Sequence, residues 1–290
     1  MIREIKIAVL VIFCCTLPGC QPKSDNNSID NIKINDLAPV YRDGSPVNNV
    51  LKAISLDFHI IDVPAENFHK LDEIRRSLNI KPIKFNNYLA FSANSFSAYY
   101  GRNQKRRTVY DILEIAGAQH VINQGIILVD KQSNDIPIQQ LGQMQAVYYR
   151  NLNGEKESAR IGPGNIVLHI AVKKAETFDN AAEVTIFPLF TRISGSSLSR
   201  YALMDKAQDF PFYAAAMQLN MIPGDFIFLA PEQYTDDQTS LSGLFFGNPM
   251  GSIFDDPDEQ KLPTRRETQD RTKLKPSIKV YIITCVGLNF

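Results

Sequence analysis

Behind Arg3 and Lys6 the chain carries an apolar run, Ile7 to Leu17, and after a long polar stretch hydrophobic order resumes only near Leu51. From there Ile54, Leu56, Phe58 and Ile60 alternate with Ser55, Asp57, His59 and Ile61, the period of a half-buried strand. Pro64 suits the first turn of a helix, and Phe68, Leu71, Ile74 and Leu78 then recur at helical spacing opposite Glu66, Lys70, Asp72, Arg75 and Arg76. This pattern predicts an amphipathic helix over 65–78. Ile80–Phe85 and Tyr88–Tyr100 read as short extended segments, followed by a basic loop with Arg102, Lys105, Arg106 and Arg107. Thr108 with Asp111 is a capping signal, Val109, Ile112, Leu113 and Ala116 form one helical face, and Gly117 stops it. Val121–Val129 returns as an apolar strand.

Beyond residue 140 the helical period disappears and turn residues punctuate strands. Met144–Arg150, Ile166–Val172, Glu183–Arg192, Phe212–Ile222, Phe226–Ala230 and Ser277–Val286 are predicted strands, with Asn153-Gly154, Gly162-Pro163-Gly164 and Pro223-Gly224-Asp225 as breaks. The expected class is α+β. An N-terminal part, 51–139, holds two helices, and a mainly antiparallel β part, 140–290, follows it. Residues 255–276 are charged and almost free of apolar side chains, so they read as a mobile insertion.

The leading apolar run is too short to cross a bilayer, which takes roughly 20 residues. With its charged start it has the layout of a secretory leader over 1–19. Leu17-Pro18-Gly19-Cys20 resembles the lipobox of bacterial lipoproteins. The resemblance implies cleavage after Gly19 and diacylation, with a palmitate-type chain, at Cys20. Two acyl chains anchor stably, since each buried CH₂ contributes about 0.8 kcal/mol. Residues 20–50 then form a flexible tether. Gln21 after the cysteine resembles the outer-membrane lipoproteins, so the expected location is the cell envelope on the periplasmic side, the outer membrane favoured over the inner.

Composition narrows the function. The 31 basic residues balance 31 acidic ones, and loss of Arg3, Lys6 and Glu4 with the leader barely changes that. A neutral chain is a poor general binder of phosphate backbones, so no nucleic-acid partner is expected. Four cysteines reduce to Cys285 once Cys14, Cys15 and Cys20 are assigned to leader and anchor, leaving no internal disulfide. Cys285 sits within an apolar strand and reads as a small buried hydrophobe. His59, His69, His120 and His169 show no metal-ligand spacing, and Ser194-Gly195-Ser196 is not a nucleophile elbow. No catalytic, cofactor or metal residues are assigned. Asp57 and Asp62, flanking one strand, are the acids a polysaccharide-active enzyme could use. The basic residues Arg102, Lys105, Arg106 and Arg107, and the polar stretches 194–209 and 231–240, are the candidate interaction loops, and an exposed sheet edge is the other candidate binding surface.

The order of motifs resembles the C-terminal homology region of bacterial secretins, the multimeric outer-membrane channels. Ile60-Ile61-Asp62-Val63 is similar to its opening signature, Val109–Val129 to its helix and strand, and Gly142–Tyr148 to its glycine-led strand. Gly164–Ile170 and Glu183–Ile186 look like its paired strands, Pro223–Leu229 its turn and strand, Leu241–Phe246 its Leu-Gly-x-Leu-Phe segment, and Lys279–Thr284 its closing strand. The resemblance spans about 52–290 and implies a secretin-like β domain. The sequence carries no counterpart of periplasmic ring domains before residue 50, and 194–209 lack the alternation of a lipid-facing hairpin. The leading expectation is therefore a non-enzymatic binding or assembly module with an envelope protein partner. An oligomeric channel subunit for protein export and an envelope polysaccharide-active enzyme are the alternatives.

Overall fold

A computed structural model describes residues 51, 53–176, 178, 180–192, 209–254 and 274–289. The leader, Cys20 and the tether lie outside the described residues, as do nearly all of the 194–209 loop and the charged insertion up to residue 273. Mostly antiparallel sheets with few helices make up the described residues, consistent with the α+β class.

β1 (Ala53–Pro64) alternates as its sequence predicts up to Phe58 and is then buried on both faces. The cause is what lies on either side. Its even-numbered residues Leu56, Phe58 and Ile60 join one core with Ile166, Leu168, Ile170, Val184 and Ile186. Its odd residues Ile61 and Val63 pack instead with Leu71, Ile74, Val109, Ile112 and Leu113, which come from helices. Each such large apolar side chain contributes about 1.5–3 kcal/mol on full burial.

The first sheet has the order β3 (Phe96–Gly101), β12 (Phe226–Pro231), β14 (Lys275–Asn289), β1, β4 (Gln119–Leu128), with β13 (Gly247–Ser252) also on β14. The last strand thus runs beside the first, Ala53 opposite Asn289 and Pro64 opposite Ser277. The second sheet has the order β2 (Lys84–Phe85), β11 (Met217–Met221), β9 (Ala182–Arg192), β8 (Gly164–Lys174), β5 (Ser133–Leu141), with β10 (Phe210–Pro211) on β9. β6 (Gln145–Arg150) and β7 (Lys156–Ile161) form a hairpin around Asn151, whose side-chain oxygen accepts from the Asn153 and Glu155 amides. Parts 51–139 and 140–290 interleave in both sheets, β14 beside β1 and β11 beside β2.

Several elements depart from the sequence reading. The 65–78 helix is a 3₁₀ segment, Ala65–Lys70, leading into α1 (Leu71–Ser77). Tyr88–Ala93 is not extended; it is α2, because the Asn87 carboxamide accepts the Ala90 amide at 3.1 Å and starts a helix. α3 (Asn103–Ile115) begins five residues before Thr108, so the predicted basic loop is the first part of a helix with Arg102 at its N-cap. Its C-terminus is as predicted: Gly117 takes φ +71°, Gly117 N–H reaches Glu114 O and Ala118 N–H reaches Leu113 O, the Schellman pattern. Phe212–Ile222 is interrupted by a 3₁₀ turn, Tyr213–Ala215, anchored by buried Phe212. A helix also occurs in the second part, α4 (Leu241–Phe246), capped by Ser240 Oγ and wholly buried. The final strand starts at Lys275, two residues inside the expected insertion.

Candidate functional site

β4 is a strand that, beyond Gln119, the other described residues leave open on one side. It pairs with β1 on one side and ends the sheet on the other. Although apolar, it is not buried: Val121 is 53% exposed and Ile127 73%, and Val129 just beyond it is 45% exposed. An edge strand presents a row of unpaired N–H and C=O groups, which proteins normally blunt with charge, proline, a bulge or shortness. Four other edges among the described residues are blunted. β3 exchanges main-chain hydrogen bonds with Asn79, β5 carries Pro137 and a register shift, β2 is two residues long, and β7 carries Lys156, Glu157 and Arg160. β4, Gln-His-Val-Ile-Asn-Gln-Gly-Ile-Ile-Leu, has no proline, no Lys, Arg, Asp or Glu, and a single irregularity opposite Ile60 and Ile61.

The four basic residues named from the sequence do not form one patch. Arg102 donates to the Tyr100 hydroxyl at 3.4 Å, and Tyr100 in turn donates to Asp225 Oδ1 at 2.8 Å. Burial, with Asp225 adding to it and Arg102 opposing, raises the Tyr100 pKa. These groups sit at one end of a groove of about 530 Å³ between the sheets, walled by Pro82, Phe178, Leu219 and Ile222. Lys105 lines an adjoining cleft that also carries Tyr100 and Arg102, with Leu78 and Pro82. Arg106 and Arg107 lie on the other flank of α3, beside β4. Helical geometry contributes to the split of Lys105 from Arg107, since residues two apart point to nearly opposite sides of the axis, whereas Arg102 and Lys105, three apart, line one cleft.

The histidines divide similarly. His69 is exposed near Glu66 O, and His169 pairs with Asp135 at 2.6 Å, its ring against Phe187. His59 and His120 come together from β1 and β4, ring centres 5.6 Å apart. No group of three or more His, Cys, Asp or Glu side chains able to hold a metal occurs among the described residues.

Asp57 and Asp62 lie on opposite faces of β1, five residues apart, hence separated by about 16 Å at roughly 3.3 Å per residue. The carboxylate pairs of glycosidases stand on one side of a cleft within about 5–9.5 Å. Asp62 is instead a buried structural acid: its Oδ2 accepts from Asn248 at 3.0 Å, from Ser252, and from Ser277 at 3.5 Å. Across the strand pair, burial lowers the Lys279 pKa and Asp62 partly offsets it. Cys285 has no exposure, and burial, with the Asp225 charge adding to it, pushes its thiol up to about 12. In the 231–240 loop, Tyr234 and Gln238 line a small cleft of about 260 Å³ with Asn248 and Ser277.

Sequence reading found β4 as a strand but missed that it is an edge. Its signal was available in the lack of charge along ten residues; its position was not, because its described partner β1 is distant in sequence and β14, from the far end of the chain, takes the other side of β1. No protein-family model, curated protein or solved structure matches this chain.

Proposed function

We propose that this chain is a lipid-anchored binding module of the bacterial cell envelope, with a secretin-like β domain that takes up an extended segment of an envelope protein as an added strand on β4. The observation that carries the reading is the ten-residue, uncharged and exposed edge. Added-strand recognition draws affinity from main-chain hydrogen bonds and selectivity from alternate side chains, and here Val121 and Ile127 offer apolar contacts. The leader and Cys20 motif support anchoring, with the outer membrane favoured. The order of β1, α3 with β4, β8 with β9, β12 and β14 along the chain supports the secretin-like reading.

A second copy of this chain is the competing occupant, and it would make the protein a subunit of an oligomeric channel rather than an adaptor. The experiment incorporates a photocrosslinking amino acid at Ile127 and, as a control, at Arg160 on β7, in cells producing the full chain. Adducts to a different envelope protein from Ile127, absent from Arg160 and lost with Val121→Lys, are expected. Adducts only between copies of the chain would favour the channel subunit, and equal yields from both positions would defeat the reading.

A further inference from the structure

We propose that the cleft between α3 and β4 binds a phosphate group, carried either by a soluble phosphate ester or by a lipid headgroup. The cleft measures about 620 Å³ and is lined by His59, Arg106, Arg107, Tyr110, His120 and Asn123. Every one of these side chains can donate a hydrogen bond, and no carboxylate is among the residues lining it.

His59 points to a ligand. It is only 7% exposed, yet neither ring nitrogen has a partner; beside it, the buried Tyr110 hydroxyl lies close to the Arg106 guanidinium, which partly offsets the rise that burial gives its pKa. Native folds satisfy nearly all such groups, so a buried imidazole with both nitrogens open calls for an explanation. Its surroundings select the sign of what would satisfy it. Arg106 stands 5.8 Å over the Tyr110 ring, Tyr110 stacks on His120 at 5.7 Å, and His59 meets both rings edge-on. Rings alone could cradle a cation, but two guanidinium groups repel one. They also oppose a divalent metal on the two histidines. A tetrahedral anion with several acceptor oxygens suits donors arriving from a helix and two strands, and guanidinium groups are well matched to phosphate.

The titration of His59 agrees with this geometry. Burial, then the charges of His120 and Arg106, lower its pKa, while Asp57 on its own strand opposes them more weakly. Arg107 and Tyr110 from α3 complete the titratable groups lining the cleft. A bound anion favours the imidazolium and therefore moves the His59 midpoint upward.

The inference is independent of strand addition, because it uses side chains in the cleft and not the main-chain edge. The test titrates the full chain with inorganic phosphate by calorimetry and follows the histidine C2 protons by NMR. Phosphate should bind and raise the His59 midpoint. Arg106→Gln, on the helix flank, should weaken binding roughly tenfold or more while leaving the unfolding temperature unchanged; Arg106→Lys should recover part of the loss. Ile127→Lys should leave phosphate binding as it is. Vesicles of phosphatidylcholine with and without phosphatidylglycerol separate the sources. Selective binding to the anionic vesicles, displaced by phosphate, assigns a headgroup, and phosphate binding without vesicle selectivity assigns a soluble ester. Absence of phosphate binding, binding unaffected by Arg106→Gln, or a zinc ion held by His59 and His120 in place of phosphate would overturn the proposal.

Discussion

Raising the pH should destabilise this protein, and a measurable share of the loss should come from one thiol. Cys285 is fully buried beside β1, opposite Leu56, and its main chain is tied to the Gly224–Asp225 turn by hydrogen bonds of 2.8 and 2.9 Å. Its pKa is raised from 9.0 to about 12. Because the folded value lies above the unfolded one, the folded state holds its proton in that window and the unfolded state does not. The stabilisation is complete below pH 9 and is lost as the pH climbs toward about 12. Each pH unit in the window costs about 1.36 kcal/mol, so roughly 2 kcal/mol should be gone by pH 10.5 and about 4 kcal/mol at most by pH 12. Tyrosines and lysines titrate in the same range, and comparison with Cys285→Ala cancels them. The variant should be less stable than the parent by about 1 kcal/mol at pH 7.5, from lost packing. In urea unfolding at steps between pH 7.5 and 10.5 the gap should close and reverse by a total of about 2 kcal/mol. A gap that stays constant across this range would refute the reasoning.

Two further substitutions test how the fold is held together. Asn94 donates to Ala90 O at 2.8 Å and Arg150 O at 2.9 Å and accepts from the Arg150 amide at 2.7 Å, joining α2 to β6; Asn94→Ala should cost about 2–3 kcal/mol in denaturant unfolding. Gly117→Ala places a side chain at φ +71° in the cap of α3 and should cost about 1 kcal/mol, read as a lower unfolding temperature.

What the sequence could and could not convey follows from the range of the forces involved. Strands with strict alternation, such as β1 up to Phe58, and caps with local chemistry, such as Gly117, are set by near neighbours and were legible. Tyr88–Ala93 was not, because β-prone aromatics there are overridden by the Asn87 cap and by the burial of Phe91 against Phe85 and Phe96. Arg102 to Arg107 looked like a solvated loop since nothing local announces a helix start at Asn103; no side chain caps that end. The open edge of β4 depends on β14 taking the other side of β1 across the whole chain, and the meeting of His59 with His120 depends on β1 pairing with β4. Pairings at that separation leave no trace in any short window.

The most direct measurement of strand addition on β4 is amide hydrogen exchange along His120–Leu128, in the purified protein and in the complex recovered from envelopes. The account predicts that amides on the outer side of β4 exchange fast in the isolated chain and become protected in the complex, while those of β8 are slow in both. Protection of β4 already present in an isolated monomer, or exchange unchanged on complex formation, would contradict it.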